Sequence, residues 1–262
     1  MKKHTFAICA YGESPYLEEC IQSVVSQKAY SEILLATATP NDYIRGLCEK
    51  YEVPMYVNTG EHGITQDWNF AMAQASTPYV TVTHQDDVYC PEFAKKTIEQ
   101  LDAAKNPIMA FTDYGEIRDG ERVDDSKLLR IKKNMLIPLR SRRLQSSRFV
   151  RRRILSLGSP IPCPSVTFVV ENCPNPVFQH HFRASEDWEA WEYLSRGKGA
   201  FIYCHELLMY HRIHEESETT KIIGDNVRNK EDYEMYLKFW PVPIAKVLAG
   251  MYKKSEKSNK LK

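Results

Sequence analysis

The feature that most constrains the fold is the alternation of strand and helix patterns over residues 1–112 of the 262-residue chain. Short apolar, β-branched runs alternate with segments whose apolar residues recur at helical spacing. This alternation is typical of an α/β fold in which a mostly parallel, Rossmann-like sheet is flanked by helices. The predicted strands cover residues 5–10, 33–36, 55–57, 79–83 and 108–112, and the predicted helices include 42–51 and 91–104.

Two polar residues are expected to shape the ends of these elements. Ser14 is predicted to cap the first helix, with Pro15 at its first helical position. Asp119-Gly120 is predicted to form a hairpin tip. We expect one domain with an α/β half over residues 1–112 and a second half over 113–220, followed by a helical tail over 221–262.

The second half of the chain has a distinctive charge pattern. No Asp or Glu occurs from Ser126 to Val170, whereas eleven Lys or Arg lie within residues 127–153. Such a positive field attracts phosphates, acidic glycans or an anionic membrane, and a solvated helical face is an equally good explanation. Nucleic acid is disfavoured as a partner, because Phe149 is the only aromatic residue within 127–153 that could stack on bases.

The tail and the cysteines bear on location. An apolar stripe at 244–251 is accompanied by lysines, which is typical of a helix on a membrane surface or of a helix docked on its own domain, and we favour docking. The seven cysteines are dispersed without a Cys-x-x-Cys pair, which indicates reduced thiols and a cytoplasmic protein. No apolar run predicts a membrane-spanning helix, and the first residues do not resemble a signal peptide.

Two adjacent carboxylates follow the predicted strand 79–83, in the segment His84-Gln85-Asp86-Asp87. Open α/β sheets bind ligands at the carboxyl ends of their strands. Carboxylates there can hold Mg²⁺ or Mn²⁺, and such a cation can bind a diphosphate. A simple turn is the alternative, because Asp is common in turns.

Another acidic pair, Glu186-Asp187, follows Ser185, which is expected to cap a helix over residues 186–196. Acids in a first helical turn favour the helix dipole without any catalytic role. A rigidly held carboxylate can also act as a general base if it faces the first acidic site.

A histidine cluster follows the strand predicted over residues 199–209. It contains His211, Arg212 and His214. Histidine and aspartate together make a mixed nitrogen and oxygen site suited to Mn²⁺, whereas a single surface histidine carries little information.

In chain order, five segments over about residues 4–220 resemble the family 2 glycosyltransferases of the GT-A fold. Residues 5–24 resemble the opening strand and first helix of the family, and 63–69 resemble its Gly-x-x-x-Ala-Arg-Asn helix. Residues 84–87 resemble its Asp-x-Asp metal motif, 185–188 its catalytic-base segment, and 210–214 its late Tyr-Arg-x-His segment.

The resemblance implies an inverting, metal-dependent transfer of sugar from a nucleoside-diphosphate sugar, with a UDP-sugar favoured. It makes residues 1–112 the nucleotide-sugar-binding half and 113–220 the acceptor-binding and catalytic-base half. The acceptor would be a hydroxyl of a saccharide or a lipid-diphosphate-linked saccharide, in cell-surface polysaccharide assembly. The resemblance implies Mn²⁺ or Mg²⁺ held by Asp86, with Asp87, His84 and His214, and Asp187 as base beside Glu186. The donor-binding residues that we expect are Ala10, Tyr11, Glu13, Thr37, Thr39, Asn69, Gln85 and Arg212.

The chain departs from the family pattern at three places. His84 stands where the first Asp of the metal motif is expected, so Asp86 becomes the main predicted ligand. Trp68 stands in the Arg position of the second segment. Residues 37–42 lack the Asp that reads the uracil edge, and Thr37, Thr39 or Asn41 are expected to supply hydrogen bonds instead.

The sequence is also compatible with other functions. The departures at 84 and 37–42 are compatible with a catalytically weak nucleotide-sugar or carbohydrate-binding module. A nucleotidyltransferase that makes the donor would need a Gly-rich phosphate loop, which residues 10–14 do not form. A membrane- or nucleic-acid-binding protein led by the basic stretch is a third alternative and does not exclude an enzyme.

Overall fold

The computed structural model describes residues 1–214 and 227–256, apart from the side chains of 253–256. Nine strands of these residues form one sheet. They are β1 (His4–Ala10), β2 (Ser31–Thr37), β3 (Met55–Val57), β4 (Tyr79–His84), β5 (Val88–Tyr89), β6 (Pro107–Arg118), β7 (Glu121–Val123), β8 (Val166–Val169) and β9 (Ala200–Ile213).

The strand order is β3-β2-β1-β4-β8-β6-β9-β5, and β7 pairs with β6. Strands β3, β2, β1 and β4 are parallel, and so are β6 and β9. Strand β8 runs antiparallel between β4 and β6. The predicted α/β fold is confirmed, and the carboxyl ends of β1, β2 and β4 meet at one edge of the sheet.

Helices cover both faces of this sheet. They are α1 (Leu17–Val25), α2 (Asp42–Tyr51), α3 (Ile64–Ala73), α4 (Phe93–Asp102), α5 (Lys127–Met135), α6 (Arg142–Gln145), α7 (Arg148–Leu155), α8 (Glu186–Ser195), α9 (Val227–Leu237) and α10 (Val242–Glu256). Helices α1, α2 and α4 pack on one face, and α3, α7 and α8 on the other. No helix in the described ranges is long and apolar enough to cross a membrane.

Helix α1 begins later than the sequence predicts. Its N-cap is Tyr16, with no side-chain cap, and Pro15 lies in the turn before it. The hydroxyl oxygen of Ser14 instead accepts the N–H of Tyr16 at 3.3 Å. The predicted cap is therefore wrong, because Ser14 stabilises the preceding turn rather than the helix.

Strands β6 and β9 are longer than their sequence patterns predict. They pair in parallel as far as Arg118 and Ile213, with irregularities near Asp113. Each supplies hydrogen-bond partners to the other, which extends both beyond their apolar stretches. The histidine cluster therefore starts within β9, not after its end, and the prediction that it follows the strand is wrong. The predicted hairpin tip at 119–120 is confirmed, with φ of 50° and 82°.

The C-terminal helices pack on the rest of the chain, as we favoured. Met235 and Ala245 are fully buried, and the ring of Tyr236 meets Trp188 edge to face at 5.1 Å. Of the predicted domain boundaries, residue 112 falls within β6 and residue 220 lies outside the described residues.

Candidate active site

The register of β5 against β9 brings the first acidic site to the histidine cluster. Val88 lies opposite Tyr210 in this antiparallel pair, and the same register sets Asp87 beside His211. The buried Asp87 carboxylate accepts the backbone N–H of Arg212 at 2.9 Å and lies 2.9 Å from His211 Nδ1. Two segments far apart in sequence are thereby joined by a short strand pairing.

A second contact between the same two segments joins His214 to Asp86. His214 Nε2 lies 2.9 Å from Asp86 Oδ2. The Nε of Arg212 donates to the Asp86 backbone carbonyl at 2.9 Å, and its guanidinium also forms an ion pair with Glu19 of α1. The Arg212 guanidinium lies over the Tyr16 ring at 4.5 Å. Arg212 is therefore held rigidly beside Asp86.

Three side chains of this site could bind a divalent cation. His84, Asp86 and Asp87 offer ligand atoms that all lie within 4.8 Å of one another. In the described part of the chain, His84 Nε2 and Asp87 Oδ2 are buried without a hydrogen-bond partner. Unpaired buried polar atoms are costly, and a bound cation would satisfy the atom that ligates it. The residues therefore fit a bound metal ion.

Local charges adjust the protonation of this cluster. Burial lowers the pKa of His84 although Asp87 and Asp86 oppose it, which favours the neutral imidazole that binds metals. Burial alone would raise the pKa of Asp86, but its bond to His214 and the nearby histidines lower it. Burial also disfavours charged His211, yet Asp87 and Asp86 raise its pKa to about 9.

The predicted base-binding loop follows β1. The backbone of Tyr11 exchanges two hydrogen bonds with the Gln85 side chain, at 2.9 and 3.2 Å. The Gly12 N–H donates to Thr39 Oγ1 at 2.7 Å. The Tyr11 ring is 67% exposed, and Glu13 beside it is exposed as well. The loop is thus fixed through its backbone, while an aromatic face stays accessible to a nucleotide base.

Several other predicted donor-binding residues are engaged within the chain. Thr37, paired with buried Ala10, accepts the Thr39 N–H at 3.0 Å. Asn41 caps α2. The amide of Asn69 exchanges hydrogen bonds of 2.8 and 3.0 Å with the backbone of Phe178, and so fixes the segment that precedes α8.

The start of α8 is held by the tail rather than by its own cap. Ser185 occupies the N-cap position without a side-chain cap, and its hydroxyl donates to Asp232 at 3.2 Å. The Glu231 carboxylate accepts the backbone N–H groups of Arg183, Ala184 and Ser185, at 3.0, 2.8 and 3.1 Å. Ser185 is therefore at the predicted N-cap position, but its hydroxyl binds Asp232 rather than a backbone N–H of the helix.

Asp187, in the first turn of α8, interacts electrostatically with His84 of the histidine and carboxylate cluster. Burial raises its pKa, while Arg228, the Trp188 N–H, Lys132 and His84 oppose the rise. The Trp188 N–H donates to Asp187 Oδ1 at 2.6 Å. The carboxylate is therefore oriented by its own helix and interacts electrostatically with the proposed metal ligand.

Glu186 has a different environment. Burial, with the neighbouring charges of Asp187 and Glu231, raises its pKa to about 8. Its Oε1 is buried without a hydrogen-bond partner among the described residues. At neutral pH Glu186 is therefore mostly protonated, so it would have to lose a proton before it could act as a base.

Sequence reasoning did not single out Lys132 of α5. Its ammonium donates to the Tyr114 hydroxyl at 2.8 Å. Burial would lower its pKa, but Tyr114, Tyr252 and Asp187 raise it instead. Lys132 was one of eleven bases in the acid-free stretch, and no local pattern distinguishes it. It brings a positive charge to the same site.

The sheet order, with carboxylates and histidines at its strand ends and an acidic helix start, matches the GT-A glycosyltransferase fold. The family model described as "Glycosyl transferase family 2" matches residues 5–167. The chain therefore belongs to this family. Asp187 and His214 lie beyond the matched range.

Solved structures of GT-A glycosyltransferases are similar to the chain. S. aureus TarS 1-349 in complex with UDP-GlcNAc has a TM-score of 0.64 and 15% identity, over 95% of this chain and 70% of that one. The mannosyltransferase PcManGT from Pyrobaculum calidifontis, in complex with GDP-Man and Mn²⁺, has a TM-score of 0.62 and 13% identity, over 96% and 69%. The TM-scores show a shared fold, and at such low identities they show the fold alone. No curated protein sequence matches the chain.

Proposed function

We propose that the chain is a metal-dependent, inverting glycosyltransferase that uses a nucleoside-diphosphate sugar, with UDP-sugars the first candidates. The observation that carries this proposal is the 2.9 Å contact between His214 and Asp86, two residues 128 positions apart. It assembles one cluster from the end of β4 and the end of β9. The complex of TarS with UDP-GlcNAc supports a UDP-sugar as the donor. The complex of PcManGT with GDP-Man supports a GDP-sugar as the alternative donor.

The metal ion would be held by Asp86, Asp87 and His84, with His214 adjoining. When bound, it would neutralise the diphosphate and so stabilise it as a leaving group. Arg212 would add positive charge at the same edge, and the exposed ring of Tyr11 would contact the base.

Asp187 would act as the general base. Its carboxylate would take the proton of the acceptor hydroxyl while that oxygen attacks the anomeric carbon and the bond to the diphosphate oxygen breaks. A single displacement from the face opposite the leaving group inverts the anomeric configuration. Glu186 would lie behind the base without receiving the proton.

Positive charge on the acceptor side favours a phosphate-bearing acceptor. Lys132 interacts with Asp187, and the basic residues 127–153 extend from it. A saccharide linked to a lipid diphosphate has this chemistry, and its use would place the enzyme at the inner face of a membrane, in cell-surface polysaccharide assembly.

A thermal-shift screen of nucleotide sugars with and without Mn²⁺ tests the donor, because a ligand that binds only the folded state raises the Tm. Donor hydrolysis or transfer then tests catalysis. Asp187→Asn should reduce turnover about 10²-fold or more with donor binding retained. Asp125→Asn, at an exposed surface carboxylate, is the matched control.

The binding-module alternative makes a different prediction in the same assays. A donor would stabilise the protein in the presence of Mn²⁺, but neither hydrolysis nor transfer would follow. Near-normal turnover of Asp187→Asn would instead reject Asp187 as the base.

A further inference from the structure

Helix α10 buries one face and exposes an apolar stripe beside it. Ala245 is fully buried, and Tyr252 packs against the core. Ile244, Val247 and Met251 are 43%, 63% and 63% exposed. Their spacing of three and four places them along one side of the helix. A contiguous apolar stripe on a surface helix marks an interaction site.

The exposed apolar surface continues onto α7. The Arg153 guanidinium lies over the Phe149 ring at 5.7 Å and over the Trp240 ring at 4.7 Å. The Trp240 indole N–H donates to the Ser156 carbonyl at 2.7 Å, which fixes the ring where α10 approaches α7. Phe149 and Leu157 are both exposed. We define the α7–α10 surface as the following residues: Phe149, Arg153, Leu157, Trp240, Ile244, Val247 and Met251.

Positive charge surrounds this surface. Neither residues 126–170 nor residues 235–255 contain an Asp or Glu. Arg148, beside Phe149, lines an open cavity with Lys105 and Lys198. Lys246 is exposed on α10. Apolar side chains within a basic surround complement an anionic bilayer, because the apolar groups enter the acyl boundary while the cations meet lipid phosphates.

We propose that the α7–α10 surface docks the protein on an anionic lipid bilayer. The proposal deepens the proposed function and rests on it for the acceptor, since a lipid-linked acceptor would be presented at that bilayer. The surface borders the acceptor side, because Lys132 interacts electrostatically both with Tyr252 of α10 and with Asp187.

Vesicle co-sedimentation of the full chain tests the docking. We expect binding to phosphatidylcholine vesicles that contain phosphatidylglycerol, weakening as salt is added, and little binding to phosphatidylcholine alone. The double variant Val247→Glu, Met251→Glu should bind at least tenfold less. Arg153→Gln should bind about fivefold less. The control is Tyr30→Glu with Tyr56→Glu, at exposed positions near the β2–β3 edge, and it should bind normally.

Three outcomes would overturn the docking proposal. The wild-type chain would fail to bind the anionic vesicles, or the Val247 and Met251 double variant would bind as well as wild type. In the third, sedimentation would show a dimer that the double variant dissociates, without lipid binding, which assigns the surface to a second copy of the chain.

Donor hydrolysis in solution, without vesicles, separates this proposal from the proposed function. Retained hydrolysis with no vesicle binding would reject docking alone. Vesicle binding that the double variant abolishes, in a chain that hydrolyses no donor, would support docking and reject the catalytic proposal.

Discussion

The Trp68 ring stacks on His84, with ring centroids 4.9 Å apart and planes 15° from parallel. Both residues stand where this chain departs from the family motifs, so the two departures are in contact. Trp68 also meets Phe178 edge to face at 4.9 Å. The imidazole is thereby held between an aromatic wall and the carboxylates of Asp86 and Asp87, with its Nε2 left without a partner in the described chain.

This arrangement predicts the metal preference. An imidazole ligand favours Mn²⁺ over Mg²⁺, which prefers oxygen. His84→Asp should therefore bring the affinities for the two ions closer together, as measured by titration calorimetry or by thermal shift with the donor. His62→Asp, at an exposed histidine, is the control. An unchanged Mn²⁺ to Mg²⁺ ratio in His84→Asp would exclude His84 as a ligand.

A second prediction concerns the tail. Glu231→Gln removes the charge that holds three backbone N–H groups ahead of α8, each worth roughly 1–3 kcal/mol when the acceptor is charged. We expect a Tm lower by several degrees and a kcat that falls more than KM changes, because the base is displaced. Glu234→Gln, which breaks an ion pair with Lys230 on the same helix, should change neither. An unchanged kcat in Glu231→Gln would contradict the prediction that Glu231 positions the base Asp187.

The third prediction concerns stability and pH. The Glu186 pKa is raised from 4.5 to about 8, so the folded protein binds more protons than the unfolded chain between these values. Glu186 therefore makes the free energy of unfolding fall as pH rises through this window, by at most about 1.4 kcal/mol per pH unit. Urea unfolding at pH 5 to 8 should show a flatter profile for Glu186→Gln than for wild type. Glu49→Gln, on the surface, should keep the wild-type slope.

The fourth prediction concerns the pH dependence of turnover. Lys132 opposes the rise in the Asp187 pKa. Lys132→Gln should raise the pKa of Asp187 further, so the base stays protonated to higher pH. The acidic limb of the kcat/KM profile should therefore shift to higher pH. Lys132→Arg should restore the profile in part. The neighbouring Lys133→Gln is the matched control, and an unshifted limb in Lys132→Gln would remove Lys132 from the site.

Local pattern was sufficient for much of the fold. The bounds of α2 and β3 match their predictions, because an N-cap and apolar periodicity act within a few residues. The position of Asp86 at a strand end was also predictable, since a buried β-rich run precedes it. Ser14 does not cap α1, and Ser185 holds the N-cap position of α8 without a side-chain cap, because other hydrogen-bond partners were available to both in the folded chain.

The sequence by itself determined the α/β alternation, the acidic segment after β4 and the acidic start of α8. Only the tertiary structure decided which of these groups meet. The β5–β9 register sets Asp87 beside His211, the packing of α8 brings Asp187 into electrostatic interaction with His84, and Glu231 and Lys132 approach α8 from distant helices. Such contacts depend on strand register and helix packing over long separations, and no local periodicity encodes them.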